Sequence, residues 1–270
     1  MHSPDLVRAP AAPDRWRTLA ALSAALLALA LLWAASGEAR TVAGVPVWLK
    51  PAKFAASLAL LFGTIALVAD RLSPAVREGR ALRVTGWVMG TAMIAEMAYI
   101  IAQGARARGS HYNLDTPFEA IMYGTVMAAG AVSLVVGVGV IGWIARRDAG
   151  AWMGPALREG VWLGFALAFV LTLIVAGTMS MGTGPHVGVH PEGAPVLPFV
   201  GWSGVTGDLR PAHFLSLHAM QALPLLGLWL DGRDRPGRVG LVRWAALGWT
   251  GLVAAVFAQA LMGLPLVALG

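Results

Sequence analysis

The chain has 270 residues, 57% hydrophobic and 13% charged, with a mean hydropathy of +0.69. A soluble domain carries about 25% charged residues, so the composition is that of an integral membrane protein. The net charge of +6 does not point to nucleic acid, because the basic residues fall in short connections between apolar runs. The absence of cysteine excludes disulfides, thiolate metal sites, covalent c-type haem and thiol catalysis.

Residues 1–17 hold three prolines and mixed charge and read as a disordered cytoplasmic tail. The first apolar run, 18–35, follows Arg15 and Arg17. Small residues at Ala34, Ala35 and Ser36 resemble a signal-peptidase site, but the apolar core exceeds the roughly 7–15 residues of a signal h-region. A retained first helix is therefore the preferred reading. Six further runs follow at 54–69, 84–103, 118–145, 156–178, 212–230 and 241–262. Each is near or above the roughly 20 residues that cross a bilayer core, the second being the shortest. Glycines such as Gly137, Gly139, Gly160 and Gly164 suit close helix approach rather than phosphate binding.

The sequence thus predicts an all-α integral membrane protein: a single domain over 18–270 built as a seven-transmembrane-helix bundle. Alternate connections hold 14 and 6 of the Lys and Arg residues. The rule that positive residues stay inside sets the N-terminus in the cytoplasm and the C-terminus outside. The expected location is a bacterial inner (cell) membrane. The lipid bilayer is the expected partner, nucleic acid is not, and other membrane subunits could join. A retinal Schiff base is excluded, since the only lysines, Lys50 and Lys53, lie at the outer mouth of the second helix.

In this topology the unusual polar residues collect in the extracytoplasmic half. Glu96 lies about 10 Å below the outer end of its helix, on the face shared with Gln103. A carboxylate at that depth costs about 2.5–3.5 kcal/mol and should face the bundle interior with a partner. Thr116 is a candidate N-cap, Pro117 a first helical residue, and Glu119 sits in the first turn, where the helix dipole favours it. His213, His218 and Gln221 project along the outer part of the sixth run, above Pro224. Lys53, His111 and Gln259 lie at the same level. The 179–211 connection, rich in Gly and Pro and ending in Asp208 and Arg210, reads as an extracytoplasmic lid. The inner halves show almost no polar side chain beyond the connection arginines.

Three blocks resemble an uncharacterised family of bacterial multi-pass membrane proteins: Trp48-x-Lys50-Pro51-x-Lys53-Phe54, Arg108-Gly109-Ser110-His111-Tyr112-Asn113, and Gly207-Asp208-Leu209-Arg210-x-x-His213-Phe214 with His218 and Gln221 beyond. The resemblance covers most of the chain past Trp48. It implies a site at these blocks and supplies no mechanism.

Three functions are compatible with the layer. In the favoured one, His111, Glu119, His213 and His218 are imidazole and carboxylate ligands for a Cu, Fe or Zn ion or a b-type haem in a redox role. His213 and His218 are about 140° apart round a helix, so both reach one ion only if the first turn is distorted. His186 and His190 have metal-like spacing but stand in a Gly/Pro loop. In the second, Glu96, Gln103, His218, Gln221 and Gln259 line the path of a proton-coupled transporter or channel. In the third, a membrane enzyme acts on a lipid-linked or anionic envelope substrate: Lys50, Lys53, Arg106, Arg108 and Arg210 form a cationic mouth, and Glu96, Asp208 or His213 catalyses proton transfer.

Overall fold

The computed structural model describes residues 15–182, 184–233 and 236–269. The predicted tail 1–17 falls almost wholly outside them, and Arg15 and Arg17 already belong to the first helix. The long helices are α1 (Arg15–Ala35), α2 (Leu49–Ala69), α4 (Arg80–Ala105), α6 (Ala128–Arg147), α7 (Pro155–Ser180), α8 (Arg210–Asp231) and α9 (Arg238–Leu261). Short α3 (Pro74–Arg77) precedes α4, and α5 (Pro117–Ile121) leads into α6. Two minute hairpins complete the elements: β1 (Thr41–Val42) with β2 (Val45–Pro46), and β3 (His186–Val187) with β4 (Gly207–Asp208).

Six segments are long and apolar enough to cross a membrane: α1, α2, α4, the continuous stretch Pro117–Arg147, α7 and α9. This is a helical multi-pass membrane protein. The helix α8 has 22 residues, enough for about 33 Å. It is less apolar than the rest because it carries His213, His218 and Gln221.

Packing runs along the chain as an arc. The helix α1 lies on α2, α2 on α4, α4 on α6 and α6 on α7, while α8 and α9 close over α7. Glycine sets the tightest seam. A Cβ on Gly160 would strike the carbonyl of Leu223, one on Gly164 that of Ala219, and one on Gly227 that of Ala156. Each rise along α7 matches a fall along α8, so the two helices are antiparallel and in contact over most of their length. The core between α2, α4, α6, α7 and α8 is apolar, with Phe62, Ile65, Met89, Met93, Ile141, Phe165 and Met220 almost fully buried.

One end of the bundle is fastened by acid groups that the sequence reading passed over. Glu159 bridges Arg146 at 3.3 Å and Arg243 at 2.8 Å, tying α6, α7 and α9. Asp231 accepts the Leu157 and Ala156 amides at the start of α7, at 2.8 and 3.2 Å, and pairs with Arg238. Asp148 accepts the Ser73 amide at 2.7 Å. Asp231 thereby satisfies N–H groups at the start of α7 that would otherwise be orphaned. The other end carries the lid and the polar layer.

Candidate functional site

The centre of the layer is Glu96 on α4. It is 4% exposed, and its Oε1 has no hydrogen-bond partner among the described residues. The carboxylate lies over Gly130 of α6, where a Cβ would come to 2.6 Å of Oε1. Lys50, in the first turn of α2, is partly buried within electrostatic range of both Glu96 and His111, yet makes no hydrogen bond or ion pair with a described residue. Pro51 follows it inside the helix without harm, since first-turn N–H groups have no intrahelical acceptor. A buried carboxyl and a cation that do not close on each other are uncommon, because each carries a desolvation cost that direct pairing would offset.

The loop 106–116 supplies the aromatic wall. The His111 ring lies 5.3 Å from Phe54 and 5.8 Å from Tyr123, and Tyr112 lies 5.2 Å from Tyr123. Burial, helped by the nearby Lys50 charge, pushes the His111 pKa down to about 3, so the imidazole is neutral. Burial likewise pushes the Tyr112 hydroxyl up, and it donates to the Met179 carbonyl at the end of α7 at 3.2 Å. Ala107 and Tyr112 adopt φ of +53° and +54°. Left-handed backbone at a bulky residue is costly and clusters at functional segments. Tyr123 stands in a π-helical turn, Met122–Met127, that joins α5 to α6. Such turns insert an extra residue and recur at functional sites.

The loop is pinned by Glu119, which is 1% exposed. Arg108 donates to it at 2.7 Å, the Thr116 hydroxyl at 2.6 Å and the Gln103 amide at 3.4 Å, while Thr116 Oγ1 accepts the Glu119 N–H. Thr116 thus caps α5 through its hydroxyl, which accepts the Glu119 N–H and donates to the Glu119 carboxylate. Gln103 also reaches the Tyr99 hydroxyl at 3.2 Å and the Gly109 carbonyl at 3.1 Å. Although Gln103 and Glu96 share a helix, Gln103 belongs to this fastening and not to the Glu96 pair.

The lid is pinned at Asp208. It accepts the Ser203 and Arg210 amides at 2.8 and 3.0 Å and a forked contact from the Arg210 guanidinium. Burial alone would raise the Asp208 pKa, but Arg210 and these N–H donors outweigh it and hold the carboxyl below its usual range. His186 stacks on His190 with centroids 4.2 Å apart and lies 3.2 Å from an Arg210 nitrogen. Burial is the chief cause that keeps its pKa low. Lys53 donates to the Val200 carbonyl at 3.0 Å, bringing the lid tip against α2.

The predicted metal donors do not converge. Among the described residues no three His, Asp or Glu side chains are placed to share an ion. Glu119 is engaged by Arg108 and Thr116. His218 pairs with Gln221 at 3.1 Å, and Gln221 donates to Thr64 of α2 at 3.0 Å. Of the predicted histidine donors, His213 has a buried nitrogen, Nδ1, without a partner among the described residues. Gln259 turns to the Pro265 carbonyl at 2.6 Å, away from the layer. Tyr112 and Tyr123 were not singled out from the sequence: Tyr112 was legible only as part of a polar loop, and no sequence signal marks the π turn. The family models, the curated proteins and the solved structures contain no match to this chain.

Proposed function

We propose that the chain crosses the cell membrane seven times with its N-terminus in the cytoplasm, and that the polar layer is a lidded, extracytoplasmic-facing site that takes up a small solute together with a proton. The observation that carries this is Glu96. It is a carboxyl within a membrane helix with one oxygen unpartnered among the described residues, within electrostatic range of a lysine that no described residue accepts from. Ionisable groups inside membrane helices mark ion and substrate paths by default. The contact of α8 with α7 over most of its length supports the seventh crossing. The arginines gathered at the opposite end support the orientation.

Proteoliposomes enclosing a pH-sensitive dye test the reading. Adding a filtered low-molecular-weight cell extract outside, at equal pH, should acidify the lumen faster than in protein-free vesicles. Glu96→Gln should abolish the difference while folding normally. Undiminished acidification in that variant would overturn the coupling.

The redox reading keeps one supporting observation, the unpartnered Nδ1 of His213. A b-type haem or a Cu, Fe or Zn ion held there would give the purified protein a visible spectrum or a stoichiometric metal content. The enzyme reading draws less support, because Asp208 is saturated by Arg210 and backbone N–H groups.

A further inference from the structure

The solute's chemistry follows from which charges in the outer layer remain unmet, given the reading above that the layer binds a solute. Arg210 pairs with Asp208, Arg108 with Glu119, and Lys53 is exposed and bonded to the Val200 carbonyl. Lys50 differs. It is partly buried, and no described carboxylate or carbonyl accepts from it. Within electrostatic range of it lie Glu96, whose Oε1 has no donor among the described residues, and His111, whose ring packs on Phe54 and Tyr123.

We infer that the site takes an organic monoanion, a small carboxylate whose charged end meets Lys50 and whose apolar body lies against Phe54, His111 and Tyr123. One ammonium neutralises one negative charge. A dianion would leave a second charge buried and unpaired, which is strongly unfavourable. Among the described residues of the layer, Arg108 and Arg210 hold carboxylates and Arg106 donates to Gln103, so a phosphate would have to displace one of these contacts to be gripped in two-point fashion. The neutral imidazole of His111 adds no further charge, and the three mutually packed rings offer an apolar surface. Glu96, when protonated, donates to the ligand carboxylate. When ionised it needs a donor that a simple carboxylate lacks. Ligand and proton therefore bind together.

Thermal unfolding of the full-length protein in detergent tests this without any transport assay. Sodium benzoate and sodium butyrate should each raise Tm by about 2 °C or more over sodium chloride of equal ionic strength, and sodium phosphate should not. Lys50→Gln should lose the shift, and Lys50→Arg should keep part of it. If Lys50→Gln yields no folded protein, Tyr123→Ala decides, and its benzoate shift should fall more than its butyrate shift. Equal shifts in wild type and Lys50→Gln, no carboxylate shift in wild type, or a phosphate shift as large as the benzoate shift would each overturn the inference. A benzoate shift that persists while Glu96→Gln leaves proton uptake intact would overturn the coupling and not the ligand class.

Discussion

His111 shows how a single residue's environment decides its chemistry. Six histidines in a poorly charged chain suggest ligands or proton carriers, but His111 is enclosed by Phe54, Tyr123 and its own loop, with a pKa near 3. Its folded pKa lies below the unfolded value of about 6.5, so the unfolded state binds the extra proton between the two. The stability His111 allows is complete above about pH 6.5 and falls as pH drops toward 3. At pH 5 the loss is about 2 kcal/mol, from roughly 1.5 pH units below the unfolded pKa. His111→Phe removes this liability. Its Tm should therefore drop less than that of wild type between pH 7 and pH 5, as differential scanning fluorimetry in detergent would show. An equal drop in both proteins would mean that the imidazole is open to water. Glu96 was visible in the sequence as the deepest carboxyl, because charge in an apolar run is conspicuous. The state of Lys50 was not, since only the fold shows that no described residue accepts from it.

At the scale of elements, the apolar runs were legible because length and hydropathy are local properties. What was not legible arose from neighbours. The helix α2 begins at Leu49, and the run 54–69 could be extended back through Trp48, because Pro51 is harmless in a first turn. The run 118–145 contains a π turn that no composition signals. The acid groups Asp148, Glu159 and Asp231 went unremarked in the sequence, because only the fold brings their amide and arginine partners to them. The α7–α8 seam gives a sharp contrast between glycines that the sequence treats alike. Gly160 faces the Leu223 carbonyl with no room for a Cβ, whereas Gly248 on α9 has nothing within 4 Å. Gly160→Ala must push α8 away and should cost about 1–3 kcal/mol. Gly248→Ala should be neutral or stabilise by up to about 1 kcal/mol through helix propensity. Paired unfolding curves would settle it, and a stable Gly160→Ala protein would show that the seam is loose.

For the whole molecule the decisive property is direction. The site's access to solutes outside the cell, and the sign of any proton movement, both depend on which end of the bundle faces out. The arginine-rich end contains Trp152, and the lid end contains Phe199 and the segment after α9 with Val267, all three exposed. Because the chain has no cysteine, single replacements report on each position without background. In intact cells a membrane-impermeant maleimide should label Phe199→Cys and Val267→Cys, and should label Trp152→Cys only after lysis. Phe199 tests the orientation of the lid. Val267 tests the parity of the crossings, because it follows α9 and would lie on the cytoplasmic side if α8 failed to cross. Labelling of Trp152→Cys alone in intact cells would turn the bundle over and make the Glu96 layer a cytoplasmic site. Labelling of Phe199→Cys without Val267→Cys would leave six crossings. Because Phe199 outside already requires α7 to cross, and α8 lies antiparallel against α7 along the glycine seam, that outcome would contradict the seam unless α9 were the helix that failed to cross.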